Sequence, residues 1–415
     1  MLNEISEVHL NHIKLWYLVQ HSLSSFQKLI QYFGSVETAL QPKCMTQWSA
    51  LKLHKNHLER ASDFYSKSGQ AKFQHCLEKI QKYSDFILIE SDLYYPKQLI
   101  PYTDRPPILF GQGILQNLSQ PQIAIVGSRK PSPHGKQVAY DFAYYLSEKG
   151  FFITSGLAQG IDEAAHLGAL KHHRTIAVVG TGLDQVYPSQ NQPLQQQILQ
   201  HSGTIISEFL PETKPLQHHF PRRNRIVSGL SLGVLVAEAK LKSGSLITAQ
   251  VAANQGKTTF AIPGHIYSEY HQGCHQLIRE GTILVDHPEQ IIEDLALPTQ
   301  WQYNQNQDIV NTMSFSESEE SPPSPIINTS KIKISTSANA AQADLLSQSL
   351  DFQPDLPEHL FRLYQQLDWV GQDLDTIASS IELEVAELTS ALMELELMGL
   401  AIQQNGRYLR CRPSH

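Results

Sequence analysis

The segment from 123 to 264 is dominated by short apolar runs, each leading into a small-residue turn and then a helix-start signal. The first run covers residues 123–126, turns at Gly127-Ser128-Arg129, and is followed by Ser132 and Pro133. Serine is a preferred N-cap and proline is favoured at the first helical position, so a helix is predicted from there. Near-continuous apolar strands that alternate with helices predict a doubly wound α/β sheet with a mostly parallel core. The other strands are predicted at 86–89, 108–110, 152–154, 175–179, 204–207, 235–239, 260–262 and 283–285.

The turns at the strand ends predict a phosphate-binding groove. Backbone N–H groups and a helix N-terminus meet at such a turn and attract anions. In a doubly wound sheet these turns share the carboxyl edge, so several of them form a groove rather than a single pocket. Arg129 adds a fork-shaped cation beside the first turn. The turn residues predicted to contact phosphate, through their backbone amides at the first and last turns, are Gly127, Ser128, Ser155, Gly156, Ser243, Gly244 and Ser245.

The overall charge of −8 and the pI of about 6.2 mean that a nucleic-acid role needs a local basic patch. Residues 211–260 supply one, with seven cations against two anions, a balance of +5. Its centre is the motif at 220–230, which suits phosphate contacts because arginine is costly to bury without an acidic or phosphate partner. A solvated basic loop is the competing interpretation. The predicted contacts from this patch are Arg222, Arg223, Asn224, Arg225, Lys240 and Lys242.

Aromatic and acidic residues also lie near the predicted groove. Tyr187, Phe220 and Tyr267 could stack on bases, although partial core packing is the favoured interpretation for each of them. The acids near strand ends, Asp162, Asp184 and Glu238, could serve a ribose or act as catalytic acids; capping or turn formation is the favoured interpretation.

Several classes of site are disfavoured. The first strand is not followed by G-x-G-x-x-G, and Gly256-Lys257-Thr258 is not a Walker A motif, so no nucleotide cofactor is predicted. The group His265, His271, Cys274 and His275 fits no metal-ligand spacing, so no metal is predicted. Four scattered cysteines, no signal-peptide pattern and no apolar run near the roughly 18 residues of a membrane helix predict a cytoplasmic protein without membrane contact.

The flanking segments differ from the α/β segment in composition. Residues 1–82 show helical periodicity, with helix-end signals at Gly34 and a helix-start signal at Ser35, and predict a compact helical module. An α/β domain is then predicted over 83–297, followed by a linker over 298–356, rich in Ser, Asn, Gln and Pro, that can bury little and is predicted to be disordered. Residues 357–415 predict three helices, a polar turn at 403–406 and a closing strand, the outline of a winged helix-turn-helix.

Six motifs in order carry a family resemblance: Gly127-Ser128-Arg129, the runs 155–162, 180–188, 220–230 and 238–249, and 260–264. Together they resemble the DNA-processing protein A family, also called Smf, over about residues 86–295. The resemblance implies an extended Rossmann domain that binds single-stranded DNA and homodimerises, preceded by a helical module of the SAM-like type and followed by a winged-helix module. His275 stands where the family usually has Asn, and Lys257 where Arg is common.

The resemblance further implies a non-enzymatic mediator of recombination in natural transformation, which protects incoming single strands and loads the RecA recombinase. RecA and a second copy of the chain are its implied partners, and single-strand-binding protein and other competence proteins stay open as further ones. The alternatives are a nucleotide-processing hydrolase on a related Rossmann-like fold, whose P-G-G-x-G-T-x-x-E signature is missing here, and a pure adaptor.

Overall fold

The computed structural model describes residues 5–295, 356–367, 372–380, 385–404 and 407–410. It divides into two compact units, Met1–Leu297 and Pro298–His415. The predicted linker at 298–356 lies outside the described residues, apart from Leu356.

The first unit begins with helices whose ends follow local capping chemistry. The hydroxyls of Ser22 and Ser35 each cap a helix, and Gly34, with a φ of 82°, ends the helix that Ser22 begins. The helix end at Gly34 and the helix start at Ser35 are those that the sequence predicted. Trp16 and Trp48 are fully buried among these helices. The helices are α1 (Glu7–Leu18), α2 (Leu23–Phe33), α3 (Val36–Ala39), α4 (Pro42–Met45), α5 (Lys55–Asp63) and α6 (Lys67–Tyr83).

A nine-stranded sheet follows, in the order β1-β2-β6-β5-β4-β3-β7-β8-β9. Its strands are β1 (Phe86–Ile89), β2 (Ile108–Gly113), β3 (Gln122–Gly127), β4 (Phe152–Ser155), β5 (Thr175–Val178), β6 (Thr204–Ser207), β7 (Gly233–Glu238), β8 (Thr258–Ala261) and β9 (Ile283–Leu284). From β3 to β9 neighbouring strands pair in parallel, whereas β2 pairs antiparallel with both β1 and β6. The predicted doubly wound α/β fold is confirmed.

Helices cover both faces of this sheet. Side chains alternate along a strand, so Ile123 and Ile125 of β3 enter one apolar core while Ala124 and Val126 enter the other. The helices are α7 (Pro133–Glu148), α8 (Ile161–Leu170), α9 (Gln192–Gln200), α10 (His219–Leu230), α11 (Gly244–Asn254), α12 (Gln272–Arg279) and α13 (Pro288–Asp294). None of the helices in the described part of the chain is both long and apolar enough to cross a membrane.

The N-terminal helices share a core with the sheet rather than packing only on each other. One apolar cluster contains Trp16 and Leu29 together with Ile87, Phe110 and Ile205 of the strands. Residues 1–82 and the α/β segment therefore belong to one compact unit, and a boundary between them at 82 stays a prediction.

The second unit has the predicted winged-helix outline. It contains α14 (Glu358–Gln366), β10 (Gln372–Asp373), α15 (Leu374–Ser380), α16 (Val385–Leu397), β11 (Ala401–Gln404) and β12 (Arg407–Arg410), with a sheet order of β10-β12-β11. Leu363, Leu392 and Tyr408 are part of its core. The polar turn was predicted to begin at Gln403, which is wrong by two residues. Gln403 and Gln404 belong to β11 and pair with β12.

Candidate nucleic-acid interface

A groove of about 1000 Å³ opens at the carboxyl edge of the parallel strands. The chain leaves β3 towards β4 on one side and later returns to pair with β7 on the other, so this is the topological switch point of the sheet. The groove brings together most of the residues predicted from sequence, namely Gly127, Ser128, Arg129, Arg223, Asn224, Lys240, Lys242, Ser243, Gly244 and Ser245.

The first turn, at the end of β3, is held by internal hydrogen bonds. Gly127 is required there because a Cβ would come within 2.6 Å of the Ile161 side chain. Ser128 N donates to Glu238 O at 2.8 Å, and Ile161 N donates to Ser128 O at 3.1 Å. The prediction that amides of this turn contact phosphate is wrong for Ser128, whose N–H is engaged. The turn instead presents the Arg129 side chain.

Arg129 is exposed and stacks its guanidinium carbon 5.2 Å from the ring centroid of Phe220. Within the described part of the chain, no carboxylate lies within ion-pair distance of Arg129. A guanidinium that is oriented by an aromatic ring and has no protein anion beside it is well placed for a phosphate.

Arg223 is a buried cation that faces the same groove. Only 5% of it is exposed, and its guanidinium lies so close to Gly156 that a Cβ there would overlap it. Burial lowers the pKa of Arg223 to about 10. The nearby Asp162 carboxylate raises this pKa, and the Arg129 guanidinium lowers it. Because the pKa stays well above 7, the side chain is still a cation at neutral pH. Among the described residues its Nε has no hydrogen-bond partner. A buried donor of this kind favours an anionic ligand.

The acids near the strand ends hold backbone turns in place, which is the structural role that the sequence analysis favoured for them. Asp162 Oδ2 accepts hydrogen bonds from Gly156 N at 3.0 Å and Ala158 N at 3.4 Å. Burial raises the pKa of Asp162, whereas Arg223 and these amides lower it. Asp184 accepts from Glu212 N at 2.9 Å.

The turn between β7 and α11 leaves the N-terminus of α11 open. Ser243 caps α11 by accepting from Ser245 N at 3.3 Å. Gly244, the first residue of the helix, is exposed, and a Cβ there would meet nothing within 4 Å. Lys240 and Lys242 line the groove beside it, with Lys240 also 3.1 Å from Glu269. The positive end of the α11 dipole and two lysines therefore face one space.

Four predicted contacts do not line the groove, namely Ser155, Gly156, Arg222 and Arg225, and of these Gly156 lines a smaller cavity beside it. The segment at 220–230 is helix α10 and not a loop, so its arginines point to different sides. Arg222 and Arg225 lie 2.9 and 2.5 Å from the fully buried carboxylate of Glu208. Ser155 is buried, and its hydroxyl donates to Ile125 O at 2.6 Å.

Glu208 is the residue that sequence reasoning missed. It follows strand β6 directly, fourteen positions before Arg222, and its backbone oxygen accepts from Trp16 Nε1 at 2.7 Å. Arg222 also stacks on the rings of Trp16 and Phe209, at 5.5 and 5.2 Å. Glu208 thus links α1, β6 and α10. The only sequence signal was an acid at the end of an apolar run.

A smaller cavity of about 70 Å³ adjoins Arg129 and Arg223 and is lined by Gly156 and by the rings of Tyr187 and Phe220. These two rings are 5.4 Å apart, and Tyr187 is 43% exposed. Tyr267 lines neither this cavity nor the groove, where Tyr270 is found instead. Two accessible rings beside two guanidiniums form a surface on which bases can stack.

Comparisons with known proteins identify the family to which this chain belongs. A family model described as DNA recombination-mediator protein A matches residues 86–296, and one described as DprA winged helix domain matches residues 351–407. Protein Smf of Escherichia coli is 36% identical over 77% of this chain and 75% of its own length. The DNA processing protein DprA of Streptococcus pneumoniae is 43% identical over 53% of this chain and 77% of its own length. The X-ray structure of DNA processing protein A from Streptococcus pneumoniae, 35% identical, superimposes with a TM-score of 0.60 and covers 71% of this chain and 100% of that one. The chain therefore belongs to the DNA recombination-mediator protein A family, and its winged helix is that of the same family.

Proposed function

We propose that the groove binds single-stranded DNA and that the chain acts as a recombination mediator without catalysing a reaction of its own. The observation that carries this proposal is the convergence of Arg129, Arg223 and the open N-terminus of α11 on one open groove. These are phosphate-binding elements. Membership of the family supports the same function.

Single strands suit this site better than duplexes. The Tyr187 and Phe220 rings lie beside the guanidiniums, and only an unpaired strand offers base faces for stacking next to its phosphates. Binding through phosphates and stacking carries little sequence information.

A nucleotide-processing hydrolase is less well supported. Such an enzyme needs a carboxylate directed at its substrate, whereas Asp162 accepts hydrogen bonds from the turn amides of Gly156 and Ala158, and Glu238 accepts one from Ser132 N at the start of α7. The decisive experiment compares single- and double-stranded oligonucleotides of equal length by gel shift. Preference for the duplex, or no binding to either, would reject the proposal.

Salt should weaken single-strand binding steeply. Neutralised phosphates release counterions, with a slope of about −0.7 in log affinity against log salt for each contact on a single strand. With Arg129, Arg223, Lys240 and Lys242 in the groove, we expect a slope of roughly −2 to −3. Fluorescence anisotropy from 50 to 300 mM salt measures it, on mixed-sequence and homopolymer strands. A flat response would mean that stacking dominates.

We also propose that the chain loads RecA onto the bound strand and that single-strand-binding protein or other competence proteins meet it there. The support is the family relationship. Assembly of RecA filaments on oligonucleotides precoated with single-strand-binding protein, with and without this chain, tests the proposal. An unchanged lag before assembly would reject it.

The first unit should form a homodimer. The exposed edge strand β9 supports this, with Ile283 and Leu284 37% and 47% exposed. Light scattering of a 1–297 chain should give twice the monomer mass at micromolar concentration. This boundary keeps α1–α6, which share a core with the sheet. A monomer mass would contradict the prediction.

The second unit should not bind DNA strongly. From residue 356 to 396 the sequence has nine acids against one arginine, a balance of −8. On α16, Glu387, Glu394 and Glu396 are exposed, and phosphates would be repelled there. Residues 298–415 alone should give no gel shift at micromolar protein and about 0.1 M salt. Removing them should change single-strand affinity by less than about threefold, which is below 1 kcal/mol. A larger loss would show that this unit contacts DNA.

A further inference from the structure

The N-terminus of α7 lies where doubly wound nucleotide-binding folds hold a phosphate. It follows β3, the first strand of the parallel series, at the switch point of the sheet. Amides at such a helix start attract an anion. In this chain the anion is the protein's own Glu238, which ends β7.

The contacts of Glu238 resemble those of a bound phosphate group. Ser132 N lies 3.0 and 3.1 Å from the two carboxylate oxygens, and Ser132 Oγ donates to Oε2 at 2.5 Å. The same hydroxyl accepts from Gly135 N at 2.9 Å, so the first turn of α7 is tied to the carboxylate directly and through one hydroxyl.

No space is left beside this carboxylate. Glu238 is fully buried, and a Cβ on Gly135 would overlap its Oε2. The helix start is thus both electrostatically and sterically occupied. The turn after β4 is also filled by a carboxylate of the protein, because Asp162 accepts hydrogen bonds from the amides of Gly156 and Ala158.

The N-terminus of α11 differs from both. Its cap is the neutral hydroxyl of Ser243, and Gly244 is exposed with open space before it. Of the helices that follow β3, β4 and β7, α11 is the one with no carboxylate hydrogen-bonded to the amides at its start among the described residues. Glu238 accepts from Ser132 N at α7, and Glu163 accepts from Gly160 N at α8.

We propose that Glu238 determines specificity by standing in for a phosphate group, so that the pyrophosphate of free nucleotides is excluded while strand phosphates are received at α11. The part about the strand rests on the proposed function. A free nucleotide carries the same base and phosphates as a DNA strand, so an open site at α7 would let nucleotides compete for the groove. An internal carboxylate removes that competition without reducing the positive charge at Arg129 and α11.

Glu238→Ala tests this directly with inorganic pyrophosphate as the probe, by isothermal titration calorimetry on the full chain. The wild type should bind pyrophosphate only weakly, and Glu238→Ala at least tenfold more tightly. Glu269→Ala is the matched control, because it removes a carboxylate beside Lys240 without vacating a helix start. It should gain less than threefold.

Equal gains in both variants would assign the effect to net charge and overturn the proposal, as would tight binding by the wild type or no gain in a folded Glu238→Ala chain. If circular dichroism shows that Glu238→Ala is unfolded, Glu238→Ser decides, since its short side chain also removes the carboxylate and vacates the helix start. A gain of threefold or more supports the proposal, and no gain overturns it.

Single-strand binding by the wild type is titrated in parallel. If that alone fails, the proposed function falls while the pyrophosphate result still stands.

Discussion

Replacing Glu208 with alanine is expected to lower the free energy of unfolding by about 3–5 kcal/mol, the usual cost of removing one partner from a buried ion pair. The carboxylate is fully buried between Arg222 and Arg225, and Arg225 has only 9% of its side chain exposed. Without Glu208 that guanidinium keeps the backbone oxygen of Asp104 as an acceptor but loses its countercharge. Urea unfolding followed by circular dichroism measures the change.

Glu212→Ala is the matched control for this measurement. Glu212 also pairs with a cation, Lys79 at 2.7 Å, but 58% of its side chain is exposed. Exposed pairs contribute about 0–1 kcal/mol, so this variant should be nearly as stable as the wild type. A loss below 1 kcal/mol for Glu208→Ala would show that water replaces the carboxylate and that the link between α1, β6 and α10 is weak.

Replacing Arg129 with alanine is expected to weaken single-strand binding by roughly 1–3 kcal/mol, which is about 5- to 150-fold in affinity. Arg129 is oriented by Phe220 and faces the groove, and no carboxylate among the described residues pairs with it, so its charge is available to a phosphate. Fluorescence anisotropy with a labelled oligonucleotide at low salt is the measurement.

Arg279→Ala controls for the loss of a positive charge as such. Arg279 is exposed on α12 and lines neither the groove nor the small cavity beside it. Its replacement should change affinity by less than about twofold, below 0.5 kcal/mol. Equal affinities for Arg129→Ala and the wild type would remove Arg129 from the proposed contact.

The structure separates three arginines that sequence alone could not tell apart. Arg222, Arg223 and Arg225 lie within four positions and all suited phosphate. On helix α10, however, Arg223 turns towards the groove while the other two turn towards Glu208. Which side of a helix meets the groove depends on how the helix packs on the sheet.

Local features of the sequence determined most of the elements. Ser132 and Ser35 cap the helices that they were predicted to start, because a cap involves only residues two or three positions apart. The apolar runs predicted the parallel strands, because burial on both faces demands such runs. The carboxyl edge of the sheet then followed from the switch-point rule, and with it the position of the groove.

The use of each helix start was decided by tertiary structure. Glu238 meets Ser132 across 106 positions, and Trp16 meets Glu208 across 192. No local pattern distinguishes a turn whose amides are open from one filled by a distant carboxylate. The sequence therefore predicted phosphate contacts at the turns 127–128, 155–156 and 243–245 alike. The fold left α11 open, whereas the start of α7 is filled by Glu238 from 106 positions away and the turn at 155–156 is filled locally by Asp162.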